Sequence, residues 1–415
     1  MDRLIISQRN NCRGCFSKNL KCFFDLGLMP LAGGFLKKNQ IKYEVKIPLK
    51  VYFCNNCGLV QILDVVDPTV LFKNYFYVSS VIKSLSDHFK EYSQFLKKNY
   101  LKKKDSQLLE FGSNDGVLLQ YFKNSKNIKT IGIDPSVNVS KLARKKGLNV
   151  ILDYFSQKSA LKIKQKYGLM DVVTGSNVFA HVDDIHEIMK AAKILLKENG
   201  VFIVEVHYLL DLRKQFQYDT IYHEHLCYYS VFALKNIFNL EDLKIIDIYR
   251  LSMHGGGIRV VAAKKNSSHK ISEKVEKIID YELKNELNKF TTFKKFANKA
   301  KTRKQELKKI LMKIKKQKKS IVGYGAAGRG TTLLNYCNID TKILDYIVDL
   351  SSLRINMLMP GVHVPIYHLE KSRKNPPDYF LVLAWNYIDS ILQQEKKLKS
   401  TGVKFIIPIP RVKII

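Results

Sequence analysis

Apolar runs of strand length alternate with amphipathic stretches over most of this chain. Between about residues 100 and 265, strand patterns such as SQLLEFG, TIGID, NVILDYF and GVFIVEVHYLL are separated by helical patterns such as SVNVSKLARKKG and IHEIMKAAKILLKENG. This alternation is typical of a mostly parallel sheet with helices on both faces. We therefore predict an open α/β domain, with VLLQYFKNS as the helix after its first strand.

The same alternation returns from about residue 319, where KSIVGYGAAGRGTTLLNYC precedes the strand patterns ILDYIVDL, PGVHVPI, DYFLVLAWNY and KFIIPIP. This predicts a second α/β sheet with its own glycine turn. Residues 266–318 are rich in Lys and Glu, with apolar positions at helical spacing, which predicts one or two amphipathic helices. A connector packed on a domain is favoured over a basic helix lying on a membrane surface.

The composition is that of a soluble globular chain with an unusual charge. The 415 residues carry a formal net charge of +33, but 58 of the 70 basic residues are lysines, spread along the whole sequence. Proteins that read nucleic acid use more Arg, because guanidinium contacts phosphates and bases in bidentate fashion. A solvated lysine-rich surface is favoured over nucleic-acid binding. No apolar run is long enough for a membrane span or signal peptide, so we expect a cytoplasmic protein. We also expect a monomer or weak dimer.

Four of the seven cysteines form two CxxC pairs, Cys12–Cys15 and Cys54–Cys57, separated by 38 residues. Each short turn presents two thiolates to one side, so together they suit one tetrahedral Zn²⁺. Four thiolates leave no open position, which predicts a structural site. The chain then divides into a zinc-binding module (1–70), an α/β domain (71–265), a helical connector (266–318) and a C-terminal α/β domain (319–415).

The turn after the first predicted strand of the 71–265 domain, LEFGSNDG, differs from the dinucleotide pattern G-x-G-x-x-G. An acid two residues before the first glycine resembles the S-adenosylmethionine (SAM) turn of Rossmann-like methyltransferases, with NAD as the alternative ligand. Asp134 ends the next strand, where a carboxylate can accept hydrogen bonds from ribose hydroxyls. The residues expected to bind SAM are Glu110, Gly112, Asp115, Gly116, Asp134, Asp153, Phe155 and Asn177.

The segment IYHEHLCYYS (221–230) follows the last of these strand patterns, beyond the edge where open α/β sheets bind ligands. Histidine is the natural base near neutral pH, and a neighbouring Glu can fix its tautomer. His223 and His225 could instead be a metal pair, although no further ligands with suitable spacing accompany them. A purely structural polar loop is the third interpretation.

Taken together, the motifs resemble one family over nearly the whole chain: the SAM-dependent C-methyltransferases of nucleotide-linked keto-deoxysugars. The resemblance includes the paired CxxC segment with PLAGGF, and it continues through NYFYVSS, LEFGSNDG, SNVFAHV, YDTIYHEHLCYYS, MHGGGIRV, GYGAAGRGTTLLNYC and LAWNY. It implies a zinc module, a Rossmann-like SAM-binding domain and a second Rossmann-like domain that helps to hold the sugar nucleotide. The implied chemistry removes a proton next to a ketone and methylates the resulting enolate.

The resemblance also implies residue roles. His225 corresponds to the general base, with Tyr222 and Glu224 positioning it or the substrate. His181 and Tyr77 would line the sugar pocket, although Tyr75 could take the place of Tyr77. The residues implied to bind substrate are His254, Arg259, Gly323, Tyr324, Gly325 and Arg329.

The C-terminal turn Gly323-Tyr-Gly325-Ala-Ala-Gly328 matches G-x-G-x-x-G and by itself indicates NAD. The acid expected about 20 residues later is ambiguous, because Asp345 and Asp349 both qualify. The resemblance reassigns this turn to the nucleotide-sugar platform. An NAD-dependent nucleotide-sugar oxidoreductase and a non-catalytic SAM- or nucleotide-binding protein are the alternatives.

Overall fold

The computed structural model describes residues 6–72, 79–81 and 83–415, without the side chains of Val81 and His254. Its strands are β1 (Ile6–Gln8), β2 (Leu20–Pro30), β3 (Lys46–Cys54), β4 (Val60–Ile62), β5 (Asp64–Val66), β6 (Ser106–Phe111), β7 (Ile128–Asp134), β8 (Val150–Leu152), β9 (Met170–Ser176), β10 (Leu196–His207), β11 (Cys227–Tyr228), β12 (Leu243–Leu251), β13 (Gly257–Lys264), β14 (Ile321–Tyr324), β15 (Tyr346–Asp349), β16 (Ile366–His368), β17 (Tyr379–Val382), β18 (Lys404–Ile407) and β19 (Lys413–Ile414).

The helices are α1 (Pro68–Phe72), α2 (Lys83–Asn99), α3 (Val137–Lys145), α4 (Gln157–Tyr167), α5 (Ile185–Leu195), α6 (Leu209–Lys214), α7 (Val231–Leu240), α8 (Glu273–Lys284), α9 (Phe290–Lys316), α10 (Gly328–Cys337), α11 (Glu370–Lys374), α12 (Ile388–Gln394) and α13 (Lys396–Ser400). Within the described ranges, no helix is at once long and apolar enough to cross a membrane.

A seven-stranded sheet in the order β12-β13-β10-β9-β6-β7-β8 forms the centre of the molecule. Strands β8, β7, β6, β9 and β10 are parallel, and β13 is antiparallel to both of its neighbours. The strand order reverses beside β6, so β6 and β9 border the crevice in which open α/β sheets bind ligands. The predicted Rossmann-like sheet is confirmed.

A second sheet has the order β16-β15-β14-β17-β18-β19, with every pair parallel except β18 and β19. Its order reverses beside β14, so its crevice lies where β14 and β17 end. The glycine turn follows β14 and opens into α10, as the sequence predicts. The expected fold class, with two Rossmann-like sheets, is therefore present.

The small N-terminal sheet is completed from far along the chain. Its order is β11-β4-β3-β2, and β11 comes from Cys227–Tyr228 of the segment IYHEHLCYYS. Helix α9 packs on the same sheet through Phe293, whose ring centroid lies 5.3 Å from that of Phe23 and 5.2 Å from that of Phe53. The cysteine-bearing segment, the His-rich segment and the Lys-rich helix therefore share one core.

One predicted helix is absent from the described chain: VLLQYFKNS forms only a 3₁₀ turn at Leu119–Phe122. Gly112, Asn114 and Gly116 all have positive φ, so the chain cannot enter a right-handed helix before residue 117. Few residues then remain before β7. The expected strands at NVILDYF and PGVHVPI are also shorter, with Val150–Leu152 and Ile366–His368 as the paired parts.

Candidate active site

The four paired cysteines form one cluster at the end of β3, the strand that Cys54 completes. The Sγ atoms of Cys12, Cys15, Cys54 and Cys57 all lie within 4.8 Å of one another, with Cys12–Cys57 at 3.6 Å and Cys15–Cys54 at 3.5 Å. A tetrahedral Zn²⁺ with Zn–S bonds near 2.3 Å requires S···S separations of about 3.8 Å, so the four sulfurs fit that ion. Cys22 is exposed and lies outside the cluster.

Hydrogen-bond donors surround these sulfurs. Gln61 Nε2 donates to Cys12 Sγ at 3.0 Å and Asn56 Nδ2 donates to Cys15 Sγ at 3.3 Å. Hydrogen bonds from the Cys54 and Cys57 thiols, helped by Gln61, lower the pKa of Cys12, and the same hydrogen bonds raise the pKa values of Cys54 and Cys57. The protein alone therefore favours a thiolate at Cys12, and the positive charge of a bound zinc would favour the thiolate form of the others.

Arg13 joins the cysteine turn to two segments of the central domain. Its guanidinium is fully buried; Nη1 donates to the carbonyl of Leu226 at 3.3 Å, and Nε donates to Asp183 Oδ1 at 3.0 Å. Leu226 adjoins His225, and Asp183 lies two residues after His181. Through these hydrogen bonds of Arg13, the cysteine cluster is linked to the segments that carry His225 and His181.

His225 is held by one backbone contact that determines its tautomer. Its Nδ1 lies 2.8 Å from the carbonyl oxygen of Thr220. Because a carbonyl only accepts, this bond places the proton on Nδ1 and leaves Nε2 as the acceptor nitrogen. The backbone therefore does what the sequence assigned to the neighbouring Glu224.

Four aromatic rings lie around the His225 imidazole. The ring centroids of Tyr222, His181, His207 and Tyr228 lie 4.0, 5.1, 5.7 and 6.4 Å from that of His225. His207 ends β10, so three histidines from separate segments meet beyond the carboxyl edge of the central sheet. Burial lowers the pKa of His181 to about 4, so this side chain is neutral at pH 7.

His223 and Glu224 face the N-terminal segment. His223 is fully buried, and its Nε2 lies 3.1 Å from the carbonyl oxygen of Pro48 in β3. Glu224 Oε1 accepts from the backbone N–H of Gly33, in the PLAGGF stretch, at 3.2 Å. The two histidines of the triplet thus differ: His225 joins the ring cluster and His223 anchors the loop. Among the described residues, the sole group suited to a metal is the four-cysteine cluster, so the proposed His223–His225 metal pair receives no support.

Glu110 and Asp134 end neighbouring strands at the crevice. Burial raises the pKa of Glu110 well above its usual value, and its Oε2 has no hydrogen-bond partner in the described chain. The α-ammonium group of SAM is the kind of donor that such an orphaned acceptor lacks. Asp134 Oδ2 and Oδ1 accept from the backbone N–H groups of Asn114 and Ser136 at 2.9 and 2.8 Å, which fixes the carboxylate in place.

The glycines of this turn contact protein side chains. A Cβ on Gly112 (φ +64°) would lie 2.3 Å from Val178 Cγ2, and one on Gly116 (φ +78°) would lie 2.2 Å from Leu148 Cδ1. Asp115 is also occupied, because its Oδ2 lies 2.7 Å from Lys146 Nζ. These three residues therefore shape the turn.

The remaining residues expected near SAM differ in exposure. Phe155 is buried and its ring stacks on Phe111 at 5.1 Å, while Asp153 is exposed. Asn177 follows β9 with φ +57°, and its backbone N–H donates to the carbonyl of Glu205 at 2.8 Å.

Arg259 lies in a buried ion pair. Its Nη2 is 2.6 Å from Glu205 Oε1, whose other oxygen is 2.9 Å from His88 Nε2. Although burial alone would raise it, His88 and Arg259 lower the pKa of Glu205 to about 2. The Arg259 guanidinium also lies over the Tyr92 ring, 3.8 Å from its centroid. Arg259, which the resemblance assigns to substrate binding, therefore has protein partners on both faces: the Glu205 carboxylate and the Tyr92 ring.

The C-terminal glycine turn is packed against the PLAGGF stretch. A Cβ on Gly328 would lie 3.5 Å from Ala32 Cβ, and Thr331 Oγ1 donates to the Ala32 carbonyl at 3.1 Å. Ala32 thus covers the start of α10, where a dinucleotide fold receives the diphosphate of NAD. Asp349 ends β15 and accepts from the N–H of Ala326 in the glycine turn at 2.7 Å, whereas Asp345 accepts from the N–H of Ile321 at the start of β14 at 3.0 Å.

Other residues of this turn are held inside the sheet. Cβ atoms on Gly323 and Gly325 would lie 2.7 Å from Ile347 and 2.8 Å from Ala384. The Tyr324 hydroxyl donates to Glu395 Oε1 at 3.0 Å.

Arg329, the residue after the glycine turn, differs from the turn residues in having a buried nitrogen, Nη1, without a hydrogen-bond partner in the described chain. Its guanidinium lies 5.1 Å from the Trp385 ring centroid, and its Nε is 3.9 Å from Asp219 Oδ2. Of the other expected residues, Tyr77 lies outside the described residues, as does the side chain of His254.

Sequence reasoning missed His207, Thr220, Arg13, Asp219 and Trp385. His207 had a usable signal, since it ends the apolar run GVFIVEVH, and Trp385 is the single Trp of the chain. Thr220 acts through its backbone carbonyl, so its side-chain identity carries no such signal.

Comparisons with known proteins identify the family of this chain. Family models match a zinc-binding domain over residues 12–72, a methyltransferase domain over 84–248 and a C-methyltransferase C-terminal domain over 252–410. The C-methyltransferase NovU of Streptomyces niveus is 31% identical over 412 residues, which are 99% of this chain and 98% of that protein.

Solved structures resemble part of the chain. A SAM-dependent methyltransferase from Clostridium acetobutylicum is 18% identical, covering 43% of this chain and 90% of that one with a TM-score of 0.33. The plantazolicin methyltransferase BpumL in complex with SAH is 14% identical, covering 42% and 82% with a TM-score of 0.33. The full-length relative and the three family matches establish that the chain belongs to the SAM-dependent C-methyltransferases.

Proposed function

We propose that this enzyme methylates a carbon next to the ketone of a nucleotide-linked keto-sugar, producing a branched sugar. The observation that carries the proposal is the His225 imidazole, held through Nδ1 by the Thr220 carbonyl and surrounded by Tyr222, His181 and His207. C-methylation requires a carbon nucleophile. A base can make one by removing the proton beside the ketone, and neutral hydrogen-bond donors next to it can stabilise the enolate oxygen that forms.

Each residue then has a role in proton removal. Nε2 of His225 takes the proton from the carbon beside the ketone, and the C–H electrons form the enolate. His181, neutral because its pKa is lowered to about 4, can donate an N–H to the enolate oxygen without giving up its proton. Tyr222, whose ring lies tilted beside His225, orients the base or the substrate, and Glu224 holds the loop through Gly33.

SAM, when bound, supplies an electrophilic methyl group that its sulfonium releases. Glu110 would hold its ammonium group and Asp134 its ribose, because both carboxylates end strands at the crevice of the central sheet. Asp153, Phe155 and Asn177 would border the rest of this site. Zinc on the four cysteines would act in folding, by holding the turn from which Arg13 reaches the His225 segment.

The C-terminal sheet would hold the nucleotide. Arg329 supports this, because its Nη1 is buried without a hydrogen-bond partner among the described residues, and a diphosphate oxygen would satisfy it. Ala32 covers the start of α10, so the guanidinium is the group offered to the anion. The contributions of Tyr77, His254, Arg259, Gly323, Tyr324 and Gly325, the four-part domain division and the oligomeric state stay predictions.

The test is incubation of the purified protein with SAM and candidate nucleotide-linked keto-sugars in D₂O. We expect deuterium incorporation at the carbon beside the ketone and SAM-dependent appearance of a methylated sugar. Arg329→Ala should raise KM for the sugar nucleotide at least tenfold and leave the Kd for SAM within twofold. Hydride exchange with NAD in place of methyl transfer would refute the proposal and support the oxidoreductase alternative.

A further inference from the structure

A buried carboxylate, Asp219, lies between the C-terminal sheet and the segment that holds His225. Asp219 is completely buried within the 3₁₀ turn Tyr218–Thr220. Its Oδ2 accepts from Trp385 Nε1–H at 2.7 Å and lies 3.9 Å from Arg329 Nε, and Oδ1 has no hydrogen-bond partner in the described part of the chain. Burial takes this carboxylate out of water, and one hydrogen bond and one long ion pair replace its hydration incompletely, so apolar residues of similar volume would be at least as stable here. Folding alone therefore gives a poor reason for Asp219.

The contacts of the neighbouring residues point to a different reason. Thr220, the next residue, provides the carbonyl that accepts from His225 Nδ1 at 2.8 Å. Thr332 in α10 donates from Oγ1 to the carbonyl of Ile221 at 3.0 Å. Two side chains of the C-terminal α/β segment therefore hold the backbone on both sides of the Thr220 carbonyl. Trp385 bonds Asp219, the residue before Thr220, and Thr332 bonds Ile221, the residue after it.

We propose that Asp219 is a positioning residue: through its hydrogen bond from Trp385 it fixes the Thr220 carbonyl that holds His225 in the Nδ1–H tautomer. The inference rests on the proposed function in treating His225 as the base. A base misplaced by about 1 Å can lose on the order of 100-fold in rate, so a rigid attachment of this carbonyl has a direct catalytic effect. It also makes the C-terminal sheet part of the proton-transfer machinery.

The test compares Asp219→Ala, Asp219→Asn and Trp385→Phe with a matched control, Asp64→Ala. Asp64 is likewise buried, accepts from one amide (Gln8 Nε2, 3.3 Å) and has its Oδ2 without a partner, but it lies in β5. We expect Asp219→Ala and Trp385→Phe to lower kcat about 10- to 100-fold, with KM for SAM within twofold. Asp219→Asn keeps an oxygen for Trp385 and should stay within about threefold of wild type. The double variant Asp219→Ala/Trp385→Phe should lose no more than the worse single variant, since both remove one contact.

A measurement without substrate separates this inference from the proposed function. In ¹⁵N NMR of histidine-labelled protein, wild type should show His225 protonated at Nδ1, and Asp219→Ala should show a mixture of tautomers. Asp64→Ala should change the melting temperature only. If folded Asp219→Ala keeps both the wild-type tautomer and the wild-type kcat, the inference is wrong. If wild type methylates no keto-sugar but the tautomer still shifts in Asp219→Ala, the proposed substrate is wrong and the positioning role stands.

Discussion

At the scale of single residues, the two histidines of the HEH triplet have different surroundings. His225 lies among aromatic rings and is held by a backbone carbonyl, whereas His223 is buried against Pro48. Identical side chains two positions apart therefore receive different chemistry from their partners. The difference can be tested on each histidine separately.

His225→Asn should lower both deuterium exchange and methylation by about 10²- to 10⁴-fold, the range expected for a lost general base. SAM binding should stay within twofold, since Glu110 and Asp134 are untouched. His223→Asn is the matched control: it removes a buried hydrogen bond and should cost about 1–3 kcal/mol of stability while exchange continues. Normal exchange in His225→Asn would exclude this residue as the base.

His181 should make stability depend on pH. Its pKa is lowered from 6.5 to about 4 in the folded protein, so the unfolded chain binds a proton at a higher pH than the folded one. Its contribution is therefore fully present above about pH 6.5 and is lost as pH falls towards 4. Melting temperatures measured between pH 7 and 4.5 should fall less steeply for His181→Asn than for wild type. Equal slopes would show that His181 titrates normally.

At the scale of elements, the turn after β6 depends on Gly112. Gly112→Ala combines positive φ with a Cβ only 2.3 Å from Val178, so it should cost about 3 kcal/mol or more and abolish SAM binding. Gly402→Ala is the matched control, because its φ is +96° and its Cβ would meet nothing within 4 Å. That variant should cost about 1 kcal/mol and bind SAM normally. Chemical denaturation and SAM titration would measure both effects.

The four-cysteine cluster is a second feature that can be tested at the scale of elements. Metal analysis should find about one Zn²⁺ per chain, lost in Cys54→Ala together with thermal stability. Activity should fall as well, because Arg13 and Gln61 connect the cluster to Leu226 and to strand β11, both within IYHEHLCYYS. Cys22→Ala, an exposed cysteine outside the cluster, should keep metal, stability and activity. Full metal content in Cys54→Ala would show that the four sulfurs are not the ligands.

At the scale of the whole molecule, parts distant in sequence share one site. The PLAGGF stretch of the N-terminal segment contacts Glu224 through Gly33. It also covers the start of α10, where Thr331 donates to the carbonyl of Ala32. Tyr218–Ile221 is fastened to the C-terminal sheet by Trp385 and Thr332. The His225 cluster therefore lies where the three larger sheets meet, so we expect binding of the nucleotide and proton removal to be coupled.

The sequence by itself determined what local rules govern. Strand and helix periodicity identified both α/β sheets, CxxC spacing identified the metal cluster, and glycine turns located Glu110 near the end of a strand and Gly328 at the start of a helix. These features are readable because each depends on a few neighbouring residues.

Only the tertiary structure decided which partners these groups receive. It gave the Nδ1 proton of His225 to the Thr220 carbonyl, brought His207 and His181 beside it, and placed Arg259 against Glu205. A backbone carbonyl has the same chemistry in any residue, and a contact such as Arg259–Glu205, between residues 54 positions apart, leaves no local pattern. Packing of three sheets, which buries polar groups only where partners meet them, made these choices.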